Sequence, residues 1–96
     1  MVAANDIVEY KVSEKTVPAS LGSAIAKCFE EGSKCVVVKA MGANAVNQAV
    51  KGTIIARQHL TPGAKDILLT PGFETAKTDR KPEVTVIVFS LTLKPF

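Results

Sequence analysis

The sequence predicts an α+β fold in two layers: elements in the order β-α-β-α-β-β, a four-stranded mixed sheet ordered 1-2-4-3, and both helices on one face. Three observations predict it. Two segments carry apolar residues at helical spacing, and each lies between stretches that read as strands. A valine run, Val36 to Val38, passes through a single glycine, Gly42, into the second of those helices. Near the C-terminus Val84, Val86 and Val88 alternate with Ile87, Phe89 and Leu91, which describes a strand apolar on both sides. Parallel strand-helix-strand crossovers are right-handed, so the two helices fall on the same face of the sheet. The last two strands form an antiparallel hairpin, and the two most apolar strands, the second and the fourth, take the central places.

Taken in order, Ile7 to Val12 alternates as the first strand. Ser13 to Thr16 is a polar loop, with Thr16 expected to cap a helix that has Pro18 in its first turn. Val17, Leu21, Ala24, Ile25 and Cys28 form that helix's apolar face, Lys27, Glu30 and Glu31 face out, and Gly32 ends it in the left-handed conformation. The second strand, Lys34 to Ala40, reads as buried on both faces. The second helix runs from Ala43 to about Leu60 and closes at Thr61-Pro62-Gly63. It carries two stripes. Ala43, Val46, Val50 and Ile54 are expected to face the core, while Ala45, Ala49, Gly52 and Ala56 are small enough to admit another backbone, either the first helix or a second copy of the chain. The third strand begins with Lys65 to Leu69 and is expected to break at Pro71-Gly72; a polar arm, Glu74 to Pro82, then leads into the fourth, Glu83 to Leu93. Helices cover one face of a sheet only, so the second apolar face of the fourth strand calls for further cover, most simply a second copy.

A chain of 96 residues is expected to form one domain, 1–96, around one modest core. An apolar fraction of 47% excludes a disordered tail, and no apolar run approaches the roughly 18 residues of a membrane span. Met1 to Asp6 lacks the basic and apolar regions of a signal peptide and reads as a frayed terminus. Cys28 and Cys35 each sit in an apolar run and read as buried, reduced thiols, which fits a cytoplasmic setting. The single histidine, His59, complements the dipole at a helix end. Without a second histidine, a zinc-ligand spacing or a carboxylate pair in apolar surroundings, the sequence offers no catalytic or metal site, and no cofactor is expected.

Charge is distributed unevenly. From Gly32 to Lys65 stand Lys34, Lys39, Lys51, Arg57 and Lys65 with no acid among them, so this block carries +5 of a net +3 and the remainder carries −2. A helix that starts directly after a glycine turn leaves its first N–H groups facing outward with the positive end of the dipole behind them, which favours anions. Gly42 lacks the further glycines of a P-loop or a dinucleotide turn, and a bare turn glycine is more often structural. The residues after it are less ordinary. Asn44, Asn47, Gln48 and Lys51 lie along one side of the helix, and amides with a lysine suit phosphates and base edges. Because the first two strands are parallel, the loop before the first helix lies at the same end, so Lys15, Lys39 and Lys51 are expected to share a surface. The arm contributes Lys77, Arg80 and Lys81 against Glu74 and Asp79, either as a basic tip that straddles a groove or as an ordinary polar loop.

Val12-Ser13, Lys15 and Pro18, the block Gly42-Ala43-x-Ala45-Val46-Asn47-Gln48-Ala49-Val50-Lys51, Ile55-Ala56-Arg57, and Pro71 with Phe73 resemble the stage V sporulation protein S family over about Tyr10 to Leu93. That family belongs with the Alba-like nucleic-acid-binding proteins. The resemblance implies an Alba-like fold, a homodimer, and contacts to DNA or RNA from the first loop, the start of the second helix and the arm. Residue by residue it nominates Lys15, Gly42, Asn44, Asn47, Gln48, Lys51 and Arg57. In the arm this chain has Thr78-Asp79-Arg80-Lys81-Pro82 where the family carries a compact acidic turn. The function expected is therefore that of a small dimeric nucleic-acid-binding protein, neither an enzyme nor a membrane protein, with a regulatory role in development implied by the resemblance. The alternatives are a protein-interaction module that does not bind nucleic acid, and an enzyme or sensor that binds a small phosphorylated ligand at Gly42 to Lys51.

Overall fold

The computed structural model describes residues 6–77 and 83–95. Its elements are β1 (Ile7–Val12), α1 (Pro18–Glu30), β2 (Cys35–Ala40), α2 (Ala43–Leu60), a short 3-10 turn (Thr61–Gly63), β3 (Lys65–Ala76) and β4 (Val84–Pro95). The sheet runs β1-β2-β4-β3, with β1 and β2 parallel and the other two pairings antiparallel, as the sequence predicts. Both helices lie on one face, and Ile25, Val36, Val38 and Leu91 are fully buried between the layers. Among the described residues no helix is long and apolar enough to cross a membrane.

The ends of α1 follow local chemistry, with one correction. Pro18 opens the helix, where its missing N–H would have had no partner anyway. Thr16 is not its cap: its Oγ1 accepts from the Ser13 N–H at 2.9 Å and closes the loop on itself. Val17, expected in the core, is 58% exposed, and the buried face is Leu21, Gly22, Ile25, Ala26 and Phe29. At the other end Gly32 has φ 101°, and the N–H groups of Gly32 and Ser33 donate to the carbonyls of Phe29 and Cys28 at 3.1 and 3.0 Å.

In α2 the two stripes exchange the roles expected of them. Ala45, Ala49, Gly52 and Ala56 are buried, together with Thr53 and Leu60, whereas Val50 and Ile54 are 38% and 48% exposed. The reason is the closeness of α1. A Cβ added at Gly52 would lie 2.6 Å from Leu21 Cδ2, and one at Gly22 would lie 2.6 Å from Ile55 Cγ2. The small-residue stripe is thus the seat of the chain's own first helix; of the larger side chains expected in the core, Val46 still packs against it while Val50 and Ile54 turn outward.

The third strand does not break at Pro71-Gly72. It runs for 12 residues, with Pro71 opposite Phe89 and Gly72 opposite Val88. An edge strand tolerates proline because the missing N–H can face away from its only partner. The segment Glu74 to Ala76, assigned from sequence to the arm, is still strand. On the face of β4 away from the helices, Val86 is only 7% exposed. Lys39 on β2 reaches across β4 to Glu74 on β3 at 2.8 Å, and also to Glu9 on β1 at 3.0 Å, so charged side chains of the chain itself supply part of the cover.

Neither cysteine is fully buried, and both are free thiols. Cys28 Sγ shares a hydrogen bond with the Tyr10 hydroxyl at 3.2 Å. That contact, reinforced by burial, pushes the phenol up from 10.0 to about 12. A raised folded-state pKa means the neutral phenol stabilises the fold below pH 10, and this contribution fades as pH rises through about 12. Tyr10 is the only tyrosine and the chain has no tryptophan, so phenolate absorbance reads it alone. The native protein should titrate near 12, and Cys28→Ala should bring the midpoint down toward 10; a native midpoint at 10 would refute the assigned contact.

Candidate nucleic-acid interface

The parallel pairing of β1 with β2 brings the loop of residues 13–16 and the start of α2 to one end of the sheet. Side chains join them there. Gln48 Nε2 donates to the Thr16 carbonyl at 3.0 Å, and Asn44 Nδ2 donates to a Glu14 carboxylate oxygen at 3.3 Å. The loop is further shaped by the Thr16 N–H on the Ser13 carbonyl at 3.1 Å and the Lys15 N–H on Ser13 Oγ at 3.2 Å. Lys15 itself is exposed, on a loop whose backbone is pinned to the helix.

At the turn Gly42 has φ 92° and ψ 156°, a backbone conformation that side-chain-bearing residues avoid. A Cβ there would meet nothing within 4 Å, so the requirement for glycine is one of backbone strain rather than of space. The Gly42 carbonyl accepts the first helical bond, from the Val46 N–H at 3.0 Å. This leaves the N–H groups of Ala43, Asn44 and Ala45 without helical partners. Among the described residues no side chain caps α2, and no acid lies in its first turn. Asn44, Asn47 and Lys51 are exposed and Gln48 is half-buried on the same side. At about 1.5 Å per residue the stripe extends roughly 10 Å along the helix.

Other residues nominated from sequence are drawn elsewhere. Lys39 does not join Lys15 and Lys51, because alternation along β2 sends its side chain to the face away from the helices, where Glu74 and Glu9 hold its ammonium above its ordinary range. Arg57, near the far end of α2, is bidentate on Asp66 at 2.5 and 3.2 Å, and the guanidinium holds that carboxyl below its usual range. Lys77 is exposed just beyond β3, while Arg80 and Lys81 lie outside the described residues. The acid-free block is accordingly dispersed: Lys34 and Lys65 stand at the end of the sheet opposite α2's start, as the strand registers require. Sequence reasoning missed Glu14. Its signal was an acid beside Lys15 in the loop already singled out, but only the tertiary contact gives it a partner.

A family model, described as stage V sporulation protein S (SpoVS), matches residues 8–94. The chain belongs to the stage V sporulation protein S family. Among solved structures it is similar to "Alba from Thermoplasma volcanium", with a TM-score of 0.60 and 20% sequence identity over 92% of this chain and 98% of that one. At that identity the likeness bears on the fold: this SpoVS-family chain has an Alba-like arrangement of its four strands and two helices. The Gly42-to-Lys51 block that carries the resemblance lies within the matched span.

Proposed function

We propose that the chain binds nucleic acid, DNA or RNA, mainly through phosphates, at the end of the sheet where the loop 13–16 meets α2, and that it does so as a homodimer. The observation that carries this reading is the joining of that loop, which bears Lys15, to the start of α2 by Gln48 and Asn44, at the end where the first helical N–H groups and the Asn44, Asn47, Lys51 stripe lie. Amide donors and lysines next to a helix start suit phosphate oxygens, and they carry limited sequence information. Family membership and the Alba-like fold agree with it. Lys77, and with it the arm, would supply a second contact. For the dimer, the support is apolar surface left outside: Phe73 is 81% exposed and Ile54 48%, on β3 and α2. The family's name agrees with a role in sporulation.

Affinity measured against salt on duplex DNA, single-stranded DNA and RNA of one length tests the reading. Binding should weaken linearly in log-log form, with a slope of about 0.9 per phosphate neutralised on duplex. Light scattering should give at least twice the 10.2 kDa of the chain. Tight, salt-independent capture of a small phosphorylated metabolite, with no polynucleotide binding, would favour the sensor alternative.

A further inference from the structure

The loop 13–16 of the proposed surface contains a residue of the wrong sign for its ligand. Glu14 lies in the loop between Ser13 and Lys15, is exposed, and takes the Asn44 side-chain amide as its hydrogen-bond donor at 3.3 Å. Its position follows from contacts that do not involve its own carboxylate. The loop backbone is closed by Ser13 and Thr16, and Gln48 ties the Thr16 carbonyl to α2 at 3.0 Å. The carboxylate is therefore presented to Asn44, which belongs to the same stripe as Asn47, Gln48 and Lys51. Glu9 and Glu74 are engaged differently: both are bound to Lys39 on the open face of the sheet.

We infer that Glu14 is an intramolecular competitor of the phosphate: it holds one N–H of the Asn44 amide in the free protein and yields that amide when nucleic acid binds. The inference rests on the nucleic-acid reading above. A carboxylate in this place does two things. It repels a phosphate approaching Lys15, and it holds one of the two N–H donors of the Asn44 amide, fixing that side chain away from a phosphate or base edge. Weakly held anions then fail to displace it, whereas a polynucleotide, engaging several cations at once, succeeds. Glu14 thereby raises the threshold for binding and biases the surface toward long polyanions.

The test compares Glu14→Ala with Glu30→Ala, which removes the same charge from the exposed last turn of α1, away from this surface. At low salt Glu14→Ala should tighten duplex DNA binding by about two- to fivefold, the scale of one exposed charge pair, and Glu30→Ala should change it far less. Asn44→Ala is then made in both the native and the Glu14→Ala backgrounds. If the carboxylate occupies the amide, Asn44→Ala costs more affinity once Glu14 is gone, and the two effects are not additive. Equal gains from Glu14→Ala and Glu30→Ala, or strictly additive effects of Glu14 and Asn44, would overturn the inference while leaving the binding surface intact, since Lys51→Ala would still weaken binding. Absence of polynucleotide binding by the native protein and every variant would overturn both readings together.

Discussion

Gly22→Ala should destabilise the protein by about 2 kcal/mol, although replacing glycine within a helix ordinarily stabilises by about 1 kcal/mol. The reversal comes from what the new methyl group meets. At Gly22 it would stand 2.6 and 2.7 Å from Ile55 Cγ2 and Cβ and 2.9 Å from the Gly52 carbonyl oxygen. Neither a Cβ nor a backbone oxygen can swing aside, so α1 and α2 must separate and open the layer beneath them. Gly52→Ala meets the branch of Leu21, at 2.6 Å from Cδ2, and a change of rotamer relieves part of the clash. The expected order of stability is native, then Gly52→Ala, then Gly22→Ala, with Gly22→Leu unfolded. Thermal denaturation followed by circular dichroism should show Gly22→Ala melting on the order of 10 °C lower. A Gly22→Ala protein as stable as the native one would mean that the helices do not touch at this crossing.

Removing Lys15 and Lys51 together should flatten the salt dependence of duplex DNA binding by about 1.8 in log-log slope for each subunit in contact, or about 0.9 for each phosphate no longer neutralised. The drop in affinity should be the same for every DNA sequence, because a lysine on a phosphate reads no base. Asn47→Ala should lower affinity and leave the slope as it was, because the amide is uncharged. Three further substitutions act as internal references. Lys65→Ala removes an exposed cation from the opposite end of the sheet. Lys39→Ala removes an ammonium already bound by Glu74 and Glu9, and Arg57→Ala a guanidinium already bound by Asp66. None of the three should change the slope. Should Lys65→Ala flatten it as much as Lys51→Ala, the interface lies at the other end of the molecule.

Topology was legible in the sequence because it depends on patterns spread over whole elements. The valine run of β2, the doubly apolar β4 and the helical spacing after Gly42 each recur over several residues, and the sheet order comes from them. What escaped were outcomes decided by single tertiary neighbours. Which stripe of α2 is buried depends on how near α1 lies, and the pair Gly22 and Gly52 sets that distance only once the helices are side by side. Lys39 counted as a candidate cation by its place in the chain; strand parity and two acids distant in sequence turned it into part of the sheet's open face. Arg57 was matched by an acid nine residues on, across the turn into β3. The candidate interface was readable as a stripe, because Asn44, Asn47, Gln48 and Lys51 obey helical spacing, whereas its join to the first loop, through Glu14 and Thr16, was not.

The free edge of β3 bears on how two such molecules can meet. In an antiparallel strand the N–H and carbonyl of every second residue point to the same side. The Ile67 N–H donates to Asp66 Oδ1 at 2.8 Å and so is turned away from β4; by parity Leu69, Pro71 and Phe73 also turn outward. Of these four positions one donor is already taken by a carboxylate and one does not exist. A strand from another molecule laid along this edge would find its ladder interrupted at every other rung, which deters runaway sheet extension between copies. Any contact between copies along β3 would therefore be made through side chains, with Phe73, 81% exposed, the largest of them on offer.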